Sequence, residues 1–149
     1  MFAISATAVD EIRAMDGLQQ IGATGNSAIQ KVRYRLVRDG RPYYVVDANL
    51  YFHMLPSHST RVLVLRDTKV AVLVSHIDRM MEVGNVLSLP HAFCGEERSW
   101  FRGLAVLNVG SQDPVVVPVV KPESFLKAAE LNLLEADEPR RKAKSAAKA

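Results

Sequence analysis

The chain has a single cysteine, Cys94, so it can form no internal disulfide and reads as a protein of a reducing compartment. Long hydrophobic runs are also missing. The longest, near Val70–Val74 and Val115–Val120, are about a quarter to a third of the roughly 20 apolar residues that a membrane helix needs. No basic stretch precedes the few apolar residues at the N-terminus, and Asp10 and Glu11 follow soon after, so no secretory leader is expected. These absences predict a soluble, cytoplasmic protein with no membrane insertion.

Catalytic signatures are equally scarce. His53, His58, His76 and His91 form no helical i, i+4 pair with an acid between them, and Cys94 has no cysteine neighbour, so no metal site is predicted. Within Phe93-Cys94-Gly95 the thiol reads as a small, partly buried group, because a nucleophile needs a base beside it. Gly22-Ala23-Thr24-Gly25 lacks the Lys-Ser/Thr that completes a phosphate-binding loop. The neighbouring acids Asp10/Glu11 and Glu96/Glu97 read as solvated surface groups. The sequence predicts neither catalysis nor a cofactor.

What is present suits one folded domain: 149 residues, 48% of them hydrophobic, enough for a core. The net charge of +3 misleads about the body. Arg140, Arg141, Lys142, Lys144 and Lys148 lie in the last stretch, Pro139 to Ala149, with no acid among them. Removing these five from the 19 basic residues leaves 14 against 16 acidic ones. The reading is a body over 1–136 and a basic, disordered tail over 137–149 that buries no core and at most touches an acidic partner.

The patterning is mostly β. Thr7-Ala8-Val9-Asp10 resembles a capping box, and Val9, Ile12 and Met15 share a helical face, so a short helix is expected over Ala8 to Met15, ended by Gly17. Gly22 to Ser27 reads as a loop. From Ile29 the period becomes two: Val32, Tyr34 and Leu36 alternate with Arg33, Arg35 and Val37. Arg38-Asp39-Gly40 supplies a hairpin turn to a return strand over Tyr43–Val46, and a short helical segment follows from Asp47 to Leu55. A second hairpin joins Arg61–Leu65 to Lys69–Val74. A short strand falls near Val83–Leu87, and a last hairpin joins Phe101–Val109 to Val115–Val120. Ser124 to Glu135 is the one helix of ordinary length. The stretches from Gly40 to Asp47 and from Gln112 to Val119 echo each other as turn, strand and short helix, which suggests a duplicated small barrel.

The same residues resemble the CheW family. The carriers are Phe2-Ala3-Ile4 with Ala8 to Arg13; Arg38-Asp39-Gly40 with Tyr43 to Asp47; Thr60 to Leu65 with Val70 to Val74; Trp100 to Ala105; and Val117 to Leu126. Each motif is weak alone, but their order and spacing cover nearly the whole chain before the tail. The resemblance implies an all-β fold of two intertwined five-stranded SH3-like β-barrels, with short helices and a C-terminal helix. It implies a non-catalytic adaptor coupling the tips of methyl-accepting chemoreceptors to the regulatory domain of a CheA-type histidine kinase, in chemotaxis or related motility signalling. By match, Val9, Glu11, Ile12, Ile77 and Met80 fall at receptor contacts. Arg38, Asp39 and Arg41 fall at kinase contacts. The chain departs from the family at the first strand, which is absent and leaves the first barrel an unpaired edge or a place for a partner's strand. It also has an extra residue, Asp39, in the turn, and Ser75 in place of the usual Asp.

The alternative is a barrel-type nucleic-acid binder using the basic tail. Arg33, Tyr34, Arg35, Arg41, Tyr43 and Tyr44 could supply basic and aromatic contacts. Strand alternation, however, sets Arg33 and Arg35 opposite Tyr34, which buries the ring and exposes the arginines.

Overall fold

The structure is a computed structural model that describes residues 1–21, 29–55, 57–108, 110 and 113–147, the last ten as backbone only. The loop expected over Gly22–Ser27 and the tip of the last hairpin at 111–112 lie outside the described residues.

Alternating and β-branched residues build two antiparallel hairpins that dominate the first sheet. Strand β3 (Val32–Arg38) returns as β4 (Arg41–Asp47) through Asp39 and Gly40, whose φ angles of 52° and 74° suit a two-residue turn with both centres left-handed. Strand β5 (Arg61–Leu65) returns as β6 (Val70–Val74) through a turn in which Asp67 has φ 55°. β4 and β6 then pair in parallel, Tyr44 beside Val70, so both hairpin turns come to the same end of the sheet. With β1 (Val9–Arg13) on β5 and β2 (Gln19–Gln20) on β3, the six strands run in the order β1-β5-β6-β4-β3-β2.

This sheet is buried on both faces, which is why β5 and β6 read as unbroken apolar runs. One face holds an inner core of Leu36, Tyr43, Val45, Val62, Val64, Ala71 and Leu73. Met15, Leu18 and Tyr34 pack on it, the first two from the connection between β1 and β2. The opposite face, with Tyr44, Val46, Leu63, Leu65 and Val72, meets Val120, Phe125 and Leu134 in a joint core.

The joint core belongs to both halves of the molecule. Strands β7 (Val86–Leu87), β8 (Phe101–Leu107) and β9 (Val115–Val120) form a second sheet in that order, the short helix α2 (Glu97–Trp100) leads into β8, and Ala3 forms a parallel bridge to Val119 on β9. The two hairpin units correspond. β4 leads into the short helix α1 (Ala48–Tyr51), and β9 leads into a 3-10 turn at Pro122–Ser124; each strand is flanked by a parallel segment. Of the two five-stranded barrels expected, the described residues show a six-stranded and a three-stranded sheet, neither closed; β1 and β2 end the first sheet with no ladder between them.

Three local expectations change. The helix expected over Ala8–Met15 is strand β1: Val9 pairs with Leu65 and Glu11 with Val64, so Asp10 is the extra residue of a bulge. That bulge brings Val9 and Ile12 to one side, which is the three-residue spacing that imitates a helix. The segment after Asp47 forms one helical turn, because His53 takes φ 54° and breaks the helical path. The C-terminal helix α3 spans Ala128–Ala147, starting later than Ser124 because Pro122–Ser124 form the 3-10 turn. It runs on through the stretch read as a tail, where alanine, lysine and arginine favour helical backbone. Leu131 and Leu134 pack it on the joint core, Lys31 reaches Glu130 at 3.0 Å, and Lys69 reaches Glu135 at 2.5 Å.

Candidate docking surfaces

At the end of the first sheet where both hairpin turns meet, charged side chains interlock. Arg38 ends β3. Its Nη2 lies 2.8 Å from Asp10 Oδ2 and its Nε 2.7 Å from Glu11 Oε2. Its Nη1 donates to Tyr43 Oη at 3.4 Å, and the guanidinium stands 6.0 Å over the Tyr43 ring. Consecutive residues of a regular strand point to opposite faces; the bulge is what lets Asp10 and Glu11 converge on one arginine. The hydrogen bonds to Tyr43 and then Asp10 push the Arg38 pKa further up, so the group is a permanent cation. Arg66, in the β5–β6 turn, adds a longer contact of 3.8 Å to Asp10 Oδ1, and its backbone N–H donates to Ala8 O at 2.8 Å.

The residues expected at kinase contacts share this rim but differ in availability. Arg38 is engaged within the chain and only 23% of its side chain is exposed, whereas Asp39 and Arg41 stand exposed at the turn. The residues expected at receptor contacts divide. Glu11 faces the rim and Arg38. Val9 packs partly against the joint core, and Ile12 stands 51% exposed on the same side of β1. Ile77 and Met80 lie in the extended segment that leaves β6 for β7, and Met80 is 80% exposed. Met81, Val83, Val86 and Leu87 are also exposed along that path, interspersed with exposed Asp78, Arg79 and Glu82.

The two sheets are fixed to each other by aromatic rings. Tyr51 and Phe52, after β4, meet Trp100 and Phe101, at the start of β8, and Phe125, after β9. Phe52 and Phe101 stack at 5.6 Å and 10°. The Tyr51 hydroxyl donates to the Ser124 carbonyl and also lies 2.9 Å from Ser124 Oγ. Burial pushes the Tyr51 pKa up, against a smaller opposing effect of the Ser124 hydrogen bond.

Among the described residues no group of three His, Cys, Asp or Glu is placed to hold a metal ion. Cys94 is exposed, and His53 approaches Glu96 at 3.6 Å, largely in solvent, with its ring 5.8 Å from that of Trp100. No helix among the described residues is long and apolar enough to cross a membrane. The sequence reads Asp10 as a capping residue and a solvated acid and Arg66 as a turn residue, and their contact is not legible, since nothing in one sequence marks a bulge. Gly103 lies inside the Trp100–Ala105 motif, with no local signal of its own. A Cβ there would meet the Leu87 carbonyl oxygen and come within 2.6 Å of Val86 Cγ1, so glycine is what lets β7 lie close on β8.

No protein-family model matches the sequence, and no curated protein matches it either. Among solved structures, the fold is similar to that of the scaffolding protein TtCheW from Thermoanaerobacter tengcongensis, with a TM-score of 0.64 over 80% of each chain at 13% sequence identity. The chain therefore has a CheW-like fold, carried by a sequence far removed from that of its structural neighbour.

Proposed function

We propose that this protein is a non-catalytic cytoplasmic adaptor that couples chemoreceptor tips to the regulatory domain of a CheA-type histidine kinase. The observation that carries the reading is the fold, which matches a CheW scaffolding protein over four-fifths of both chains. The second support is physical. Exposed Ile12 and Met80, with Ile77 and its neighbours, offer apolar surface for burial against a partner, and Asp39 and Arg41 offer charges that set register. An interface of standard size buries about 800 Å² per partner, and a domain of this size can offer more than one. Two such contacts on a rigid body raise the effective concentration of one partner near the other with no chemical step. In this reading Val9, Glu11, Ile12, Ile77 and Met80 serve the receptor, and Arg38, Asp39 and Arg41 the kinase.

The test is calorimetric binding of the full chain to a chemoreceptor cytoplasmic tip and, separately, to a CheA-type regulatory domain from the same cell. Met80→Asp should weaken the first and spare the second; Arg41→Glu should do the reverse. Arg41 is the better probe than Arg38, whose replacement would also disturb the fold. A wild-type chain that binds neither partner would overturn the assignment.

A further inference from the structure

We propose that Arg66, acting through Asp10, is a positioning residue of the β1 docking face, holding the bulge that decides which way Glu11 and Ile12 point. What docks there rests on the adaptor reading; the geometry does not. Val9 pairs with Leu65 of the joint core, Glu11 with Val64 of the inner core, and Ile12 with Leu63 of the joint core. Without the bulge, alternation would put Glu11 on the face of Val9 and turn Ile12 towards the inner core, because a slip of one residue reverses every later side chain. The exposure of Ile12 and the Glu11–Arg38 ion pair are therefore both consequences of the extra residue.

The carboxylate of that residue is held from two sides, Oδ2 by Arg38 at 2.8 Å and Oδ1 by Arg66 at 3.8 Å. The two arginines come from matching turns. Arg38-Asp39 and Arg66-Asp67 each place the aspartate at positive φ, 52° and 55°, and each directs the preceding arginine to Asp10. Arg66 also ties its backbone N–H to the Ala8 carbonyl, one residue before β1, so a single residue grips the strand before the bulge and at it. Arg38 alone would draw Asp10 towards β3. The second arginine, on the β5 side, keeps the bulge over its own partner strand.

The experiment compares the full chain with Arg66→Ala, Arg66→Lys and Ile12→Ala. It reads amide hydrogen exchange at Glu11 and Ile12, and affinity for a chemoreceptor cytoplasmic tip. Arg66→Ala should speed exchange at both amides and weaken tip binding about threefold to fivefold, the scale of a partly exposed ion pair. Arg66→Lys should restore most of both, and added salt should reproduce the loss in the wild type while changing the variant little. Unchanged exchange in Arg66→Ala, with binding still lost in Ile12→Ala, would overturn the positioning role. Faster exchange in Arg66→Ala, with tip binding indifferent to Ile12→Ala, would uphold the positioning role and instead sink the receptor reading of this face.

Discussion

Arg38 and Glu11 hold each other at 2.7 Å although their strands, β3 and β1, share no backbone ladder in the first sheet. A side-chain contact here does what strand pairing does in a closed barrel: it ties one flank of the curled sheet to the other over the inner core. The arginine is thus a structural cation first, and its availability to a partner depends on what releases it.

Arg38→Ala should therefore lower the melting temperature as well as any partner affinity. It leaves Asp10 and Glu11 side by side without their main cation. Arg38→Lys keeps the charge but loses the planar fork that meets two carboxylates and the Tyr43 hydroxyl at once, so it should restore only part of the stability. Thermal denaturation at low and high salt measures this. The gap between wild type and Arg38→Ala should narrow as salt rises.

The way β1 misleads shows what a single sequence can carry. The central hairpins were legible because β3 to β6 combine alternation or apolar runs with Asp-containing turns, and both signals are local. β1 was not, because its partner β5 is some 50 residues away in sequence and its bulge gives Val9 and Ile12 a helical spacing. β2, two glutamines long, has no pattern to read. Of the candidate site, the turn that carries Arg38, Asp39 and Arg41 was legible, but the engagement of Arg38 was not. That depends on Asp10, and on a sheet curvature that brings β1 opposite β3.

Gly103→Val should destabilise the second sheet by about 1–3 kcal/mol, the usual cost of overpacking. The new side chain would collide with the backbone at Leu87, which cannot swing aside as a side-chain tip could. Denaturant midpoints give the magnitude, and faster amide exchange at Val86 and Leu87 would place the damage in β7. On the adaptor reading, the displaced β7 should also weaken receptor-tip binding.

Leu134→Ala should cost about 2–5 kcal/mol, because Leu134 is 1% exposed in the joint core. Truncation after Asp137, by contrast, should change the melting temperature little. Among the described side chains the anchors of α3, namely Glu130, Leu131, Leu134 and Glu135, all precede the cut. An adaptor should keep its partner affinities after this truncation. A nucleic-acid binder relying on the basic stretch would lose a binding that also falls steeply with salt. Nucleic-acid gel shifts and tip calorimetry on the truncated chain separate the two.

Tyr51 sets an alkaline limit on the joint. Its folded pKa lies above the ordinary value of 10.0, chiefly because burial penalises the phenolate. Between the unfolded and folded values the unfolded chain has lost the phenol proton while the folded chain retains it, so unfolding is favoured as pH rises. The contribution is complete below the unfolded value and is lost as pH climbs through 10 towards the folded one. Urea midpoints should hold steady at neutral pH and drop above pH 10. Tyr51→Phe should lower stability at neutral pH by about 1 kcal/mol, through the lost hydrogen bond to Ser124. It should also flatten the alkaline decline, since phenylalanine has no proton to lose. A variant whose midpoint falls as steeply as the wild type's above pH 10 would show that the alkaline sensitivity resides elsewhere.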